Sequence, residues 1–385
     1  MPPFATEKTF RQAMERATRL TGMGKLLDAT RVIQRALFGT APAQPDHAPA
    51  AASHPKGEKS PPSVIVLPAP QGPHTPHTPQ TRAAPLGRKA SFTKHAYSFE
   101  GSSYPYRLYI PSATEAALDK PMPLVVLLHG CKQDAFDFAQ GTAMNTLAEQ
   151  HHAMVLYPEQ TTSGNAMMCW NWFEPSHQQA GRGEPGMIAA LTQKVAAQHN
   201  ANPSRIYVAG LSAGGSMAVV VAGLYPDLFA AVGVHSGLAA GAAQDVMSAF
   251  SAMRSGAKGH KVPALPTIVF QGTGDTTVSP ENGEFVTDAA LAAFKAADVN
   301  LVKTKSKIEA KTDDPTPATM FDASKPETAQ RTIYSNDSGK PMVESWRIKN
   351  GPHAWSGGSA QGSYTDPDGP NASAAMMAFF LLHKK

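Results

Sequence analysis

Two cysteines in 385 residues, Cys131 and Cys169, are too few for a disulfide scaffold or a cysteine-rich metal site. Long apolar runs are missing too: none approaches the ~18 consecutive residues that span a bilayer. The first residues lack the unbroken apolar stretch and small-residue cleavage site of a secretory signal, which leads to the expectation of a cytoplasmic protein. Charge of one sign is scarce. The net charge of +4 is spread along the chain without any RNA- or DNA-binding motif, so nucleic acid is not an expected partner. Charged residues make up only 17%, against 42% hydrophobic, which is ample for a core.

Proline is plentiful, and twelve of the 33 fall between residues 40 and 90, among Ala, His, Ser and Thr. Such a stretch cannot bury enough apolar surface to fold and reads as an extended linker. Its histidines, His47, His54, His74 and His77, are irregularly spaced and lack acidic or cysteine partners, so no metal is expected. Residues 1–39, before the linker, show apolar positions at helical spacing (Phe10, Met14, Ala17, Leu20, then Leu26 or Leu27, Val32 or Ile33, Ala36 or Leu37). Gly22 and Gly24 separate two short helices whose polar face carries Lys8, Arg11, Arg16, Arg19, Lys25, Arg31 and Arg35. This leader is either a helical hairpin docked on its own catalytic domain or a basic amphipathic anchor for a lipid-like or polymer-granule surface.

From about residue 91 to 385 strands and helices alternate. A hairpin is expected over 97–110, with a turn at Gly101-Ser-Ser. Continuous apolar strands are expected at 124–128, 153–157, 206–209, 230–234, 267–270 and 343–348, and helices at 139–150, 184–198, 216–224, 283–297 and 372–382. Strands apolar on both faces and separated by helices predict an α/β fold: a mainly parallel sheet covered on both sides. Residues 300–336, rich in Lys, Thr, Asp and Pro, lack periodicity and read as an excursion or flap.

The chemistry centres on Gly210-Leu-Ser-Ala-Gly214, between an apolar strand and an apolar helix. In that setting G-x-S-x-G is a nucleophile elbow, which makes Ser212 the candidate nucleophile. A serine hydroxyl needs a base to take its proton and an acid to orient the base, in the chain order Ser, Asp or Glu, His. Asp275 sits on a glycine-bracketed loop after the 267–270 strand, whereas Asp245 and Asp288 fall in expected helices. His353 follows the last strand in Asn350-Gly-Pro-His-Ala-Trp-Ser-Gly-Gly358. The developing oxyanion needs two backbone N–H donors; Ala213 and Cys131 are the candidates. His129 reads as a side chain that shapes the loop rather than as a second base. The cluster Cys169-Trp-Asn-Trp-Phe173 is either a minicore under its loop or, with Trp170, Asn171, Trp172 and Trp355, the wall of a substrate subsite. Whether Cys131 and Cys169 pair is open at this level.

Several stretches taken together resemble the polyhydroxybutyrate depolymerase-type esterases, which are related to feruloyl and acetylxylan esterases. These are Leu128-His-Gly-Cys-Lys-Gln133, Tyr157-Pro-Glu-Gln160, Cys169-Trp-Asn-Trp-Phe173, Gly210-Leu-Ser-Ala-Gly-Gly-Ser-Met217, Gly272-Thr-Gly-Asp275 and His353-Ala-Trp-Ser-Gly-Gly358. The run Leu27-Asp-Ala-Thr-Arg-Val-Ile-Gln-Arg-Ala-Leu37 looks like the leader of unexported members. The resemblance implies an α/β-hydrolase fold and a cofactor-free Ser212–Asp275–His353 triad. It implies hydrolysis of hydroxyalkanoate polymer, oligomer or short-chain esters, with feruloyl or acetylxylan esters as the alternative. Many members of the family are secreted, the alternative to a cytoplasmic location. A rival of another class is a granule-associated protein of little catalysis, working through residues 1–39.

Overall fold

The computed structural model describes residues 87–309 and 327–385, and the isolated helical positions Arg16, Arg19 and Val32. The rest of the expected leader, nearly all of the linker and residues 310–326 lie outside the described residues. The chain divides into two units, Met1–Pro79 and Gln80–Lys385, and the sheet with its helices belongs to the second.

The described residues form a ten-stranded sheet in the order β1-β2-β4-β3-β5-β6-β7-β10-β9-β8. Six central strands are parallel: β4 (Met154–Pro158), β3 (Met122–Leu128), β5 (Ala201–Leu211), β6 (Ala231–His235), β7 (Thr267–Gly272) and β10 (Pro341–Ile348). The largely apolar character of β3, β4, β6 and β7 follows from burial on both faces. In β3 every residue is buried; Leu124, Val126 and Leu128 enter one core, while Val125 and Leu127 enter the other. The first core is covered by α3 (Gly183–Gln198), α4 (Ala213–Leu224), α5 (Val246–Ser255) and part of α6 (Glu281–Ala296). The second lies under α1 (Ala135–Thr142), α2 (Met144–Gln150) and α7 (Ala372–Leu381).

Differences from expectation cluster at the edges. The hairpin is longer than its apolar signal, with β1 at Ser91–Phe99 and β2 at Ser102–Ile110. Pairing begins earlier still, since the Ala113 N–H donates to Arg88 O at 2.8 Å. The expected helix over 139–150 is two helices, broken at Ala143, whose φ of 51° is left-handed. The expected flap over 300–336 is corrected: β8 (Val302–Glu309) and β9 (Glu327–Ser335) extend the sheet antiparallel to β10. Lys303, Lys305 and Lys307 of β8 are exposed on this outermost strand, where lysine protects the edge from further pairing and erases the apolar signal. Among the described residues, no helix is long and apolar enough to cross a membrane.

Candidate active site

At the end of β5 the chain turns into α4 through Ser212, with φ 57° and ψ −121°. That conformation is costly for a residue with a side chain, and it lifts the hydroxyl out of the strand. The turn is tight on both sides. A Cβ on Gly214 would lie 2.1 Å from Leu128 O, and one on Gly210 would lie 2.4 Å from Gly214. The same contact brings the end of β3 against the start of α4. Ser212 is held from behind by its N–H, which donates to His235 O at 2.8 Å, and is 7% exposed.

Asp275 and His353 come from loops after neighbouring parallel strands, β7 and β10, in the register Gly272↔Ile348. The loops are stitched together by Thr273 N–H to Ile348 O at 2.8 Å, Gly274 N–H to Gly351 O at 3.1 Å and Asn350 N–H to Thr273 Oγ1 at 2.8 Å. The result is one hydrogen-bonded line. His353 Nδ1 is 2.8 Å from Asp275 Oδ2, and His353 Nε2 is 2.9 Å from Ser212 Oγ. Asp275 Oδ1 accepts the N–H groups of Thr277 (2.9 Å) and Val278 (2.8 Å), and its Oδ2 also accepts from Gln271 Nε2 at 3.2 Å. Burial pushes the Asp275 carboxyl up, but the His353 hydrogen bond and charge and the two N–H donors outweigh it, leaving the pKa below the usual range. The carboxylate has no proton to give, so Nδ1 carries the imidazole hydrogen and Nε2 faces the serine as an acceptor.

Ala213 is the first residue of α4, so its N–H has no partner within the helix. On the facing loop the N–H groups either side of Cys131 are engaged, Gly130's to Gln133 Oε1 at 3.0 Å and Lys132's to Met167 O at 2.8 Å. Cys131 is disulfide-bonded to Cys169, the pairing left open by the sequence. His129 is buried; its Nδ1–H donates to Gly130 O at 2.8 Å, and its Nε2 accepts the Gln160 N–H at 3.0 Å. Both ring nitrogens thus shape the loop, and burial pushes its pKa down.

Of the two readings of the aromatic cluster, burial favours the minicore. Trp170, Trp172 and Trp355 are 0%, 3% and 1% exposed. Trp170 packs beside His129; Trp355 lies edge-on to Phe138 and donates Nε1–H to Ser373 Oγ at 2.9 Å. The rings were legible as large apolar groups near the site, but which way they turn depends on a core that a linear motif does not reveal. Asn171 is engaged as well: its N–H and Nδ2 donate to Glu184, and its Oδ1 accepts from Asn165 Nδ2.

Sequence reasoning missed His235, the last residue of β6. Beyond receiving the Ser212 N–H on its carbonyl, its Nε2 accepts the Ser356 N–H at 3.0 Å, and its ring stacks on Phe270 and Trp355. It therefore braces Ser212 and the His353 loop together. Burial, and then the nearby His353 charge, push its pKa down to about 3. A histidine ending an apolar strand just short of a loop was the available signal. Among the described residues, no group of three or more His, Cys, Asp or Glu is arranged to hold a metal ion.

Residues 104–298 match the family described as Esterase PHB depolymerase, a stretch that contains Ser212 and Asp275 and ends before His353. Poly(3-hydroxyalkanoate) depolymerase C of Paucimonas lemoignei is 36% identical over 175 residues, 42% of this chain and 42% of that protein. Acetylxylan esterase A of Talaromyces purpureogenus is 31% identical over 183 residues, 41% of this chain and 46% of that one. The chain thus spans less than half the length of these curated relatives. Among solved structures, the acetyl xylan esterase from Aspergillus awamori superposes with a TM-score of 0.53 at 19% identity, covering 75% of this chain and 99% of that chain, a likeness of fold. The chain belongs to the Esterase PHB depolymerase family, and its fold is of the α/β-hydrolase type.

Proposed function

We propose that the protein is a serine carboxylic-ester hydrolase that acts on 3-hydroxyalkanoate esters: polymer, oligomer or short-chain analogues. The observation that carries this reading is the unbroken line Ser212–His353–Asp275 at an elbow of left-handed φ. Ser212 Oγ attacks the ester carbonyl carbon while His353 Nε2 takes the hydroxyl proton. The carbonyl oxygen, now negative, is received by the Cys131 and Ala213 N–H groups. As the tetrahedral species collapses, the alkoxide leaves with the proton held on His353, and the acyl group stays on Ser212. Water repeats the sequence in reverse roles and releases the acid. Asp275 keeps His353 in the Nδ1–H tautomer and stabilises the transient imidazolium.

Support for hydroxyalkanoate esters comes from the named activity of the Paucimonas relative. Trp170, Trp172 and Trp355 are buried, so they lend no support to an aromatic-acid subsite for ferulate. The test is hydrolysis of a 3-hydroxybutyrate oligomer, methyl ferulate, acetylated xylan and a p-nitrophenyl short-chain ester, each beside Ser212→Ala. The expected outcome is turnover of the hydroxybutyrate and p-nitrophenyl esters, lowered by at least about 10³-fold in the variant. Preference for ferulate or acetylxylan would overturn the substrate assignment, and an unaffected variant would overturn the mechanism.

A further inference from the structure

Glu184 is a carboxylate buried in the first turn of α3, outside the line of reacting groups. Such a group is stable only when its lone pairs are filled, and here a single segment fills them. Its Oε1 accepts Gln160 Nε2–H at 2.5 Å and Asn171 Nδ2–H at 2.6 Å, and its Oε2 accepts the Asn171 N–H at 2.7 Å. His177 Nδ1 stands further off, at 3.5 Å. The three strong donors belong to the segment 160–171, which leads from the end of β4 through the tryptophan cluster.

That segment is also what holds the Cys131 loop. Cys169 is bonded to Cys131; Met167 O accepts the Lys132 N–H at 2.8 Å; and the Gln160 N–H reaches His129 Nε2, whose other nitrogen donates to Gly130 O. The peptide before Cys131, its side chain and the peptide after it are thus all tied to 160–171. Glu184 fastens 160–171 to α3, and α3 packs on α4, whose first residue is Ala213. One buried carboxylate therefore links the frames of the two oxyanion donors.

We propose that Glu184 is a positioning residue for the oxyanion site: it sets the distance between the Cys131 and Ala213 N–H groups through Gln160, Asn171 and the Cys131–Cys169 bond. The inference rests on the esterase reading above. Donor placement acts on the transition state far more than on the bound ester, so its loss is expected in kcat rather than KM. A displacement near 1 Å costs up to about 100-fold.

The experiment uses the full chain and a p-nitrophenyl short-chain ester, with melting curves and inhibition by a phenylboronic acid, whose tetrahedral adduct on serine places an oxygen at the oxyanion position. Glu184→Gln is expected to keep a cooperative transition, lower kcat about 10- to 100-fold with KM within about twofold, and weaken boronate inhibition in parallel. The double variant E184Q/N171D returns a carboxylate to the cluster from the other side and is expected to recover part of kcat. Should E184Q lose its melting transition, Gln160→Met severs one of the links, keeps the backbone N–H to His129, and carries the same expectation. A folded variant with kcat within twofold of wild type overturns the proposal. So does a fall in kcat that leaves boronate inhibition unchanged. Wild type that turns over no ester, no better than Ser212→Ala, overturns the esterase reading itself and this inference with it.

Discussion

At Ser212 the backbone bears a cost that only its surroundings can impose. A φ of 57° with ψ of −121° is held by the tight packing of Gly210 and Gly214 and by the hydrogen bond to His235 O. The glycines and the serine were legible in sequence because the turn tolerates nothing larger at those places. The partners were legible from order and position alone, Asp275 and His353 each just past a strand. His235 and Glu184 were not, since a buried histidine ending a strand and an acid starting a helix are both ordinary features until their contacts are seen. Within the line, Asp275 has the role most open to direct test. Replacing it with Asn offers an N–H to the imidazole and selects the wrong tautomer. Asp275→Asn is thus expected to lower kcat by about 10³- to 10⁴-fold while the protein still melts cooperatively. Steady-state kinetics at neutral pH check this, and a loss below tenfold would leave the orienting role of Asp275 without support.

Elements were readable where burial is complete and obscure where it is partial. The central strands, buried on both faces, announce themselves as apolar runs; β8 does not, because an outermost strand studded with lysines carries no apolar alternation. The break at Ala143 was hidden for a different reason, as alanine, unlike glycine or asparagine, seldom takes a left-handed position. The bond between Cys131 and Cys169 joins two loops that the chain separates by 38 residues. Closing a loop of that length restrains the unfolded chain by about 4 kcal/mol. The variant Cys131→Ala/Cys169→Ala is therefore expected to lose roughly that much stability in denaturant titration, and to lose kcat through a looser Cys131 loop. A change under about 1 kcal/mol would show that the bond does not restrain the unfolded chain as stated.

On the scale of the whole molecule, several histidines are buried in their neutral form. His235 is pushed down to about 3 by burial and then by His353, and His383, near the C-terminus, to about 4 by burial and then by Lys340. The unfolded chain binds protons at these sites near pH 6.5, the folded chain only near 3 and 4, so between those limits the unfolded state carries more protons. Their contribution to stability is full above about pH 6.5 and is lost as the pH falls toward the folded values. Asp275, held below its usual range, acts in the same direction at lower pH, with its contribution lost as pH falls through its folded pKa. Each buried histidine adds a slope of about 1.4 kcal/mol per pH unit across its window. Denaturation curves between pH 5 and 6.5 should show wild-type stability rising with pH, and His235→Gln, though less stable at pH 7.5, should rise less steeply by up to that amount. An unchanged slope would mean that His235 does not resist protonation in the folded protein.

We propose Ser212 as the nucleophile of an acyl-transfer site. Its most direct test is to treat the protein with a p-nitrophenyl alkylphosphonate, which traps an activated serine, and to locate the adduct by mass spectrometry of its peptides. The expected result is one equivalent of phosphonate on Ser212, released p-nitrophenol in the same amount, and esterase activity falling in step with labelling. Label on another residue, or none on Ser212 while ester turnover persists, would contradict it.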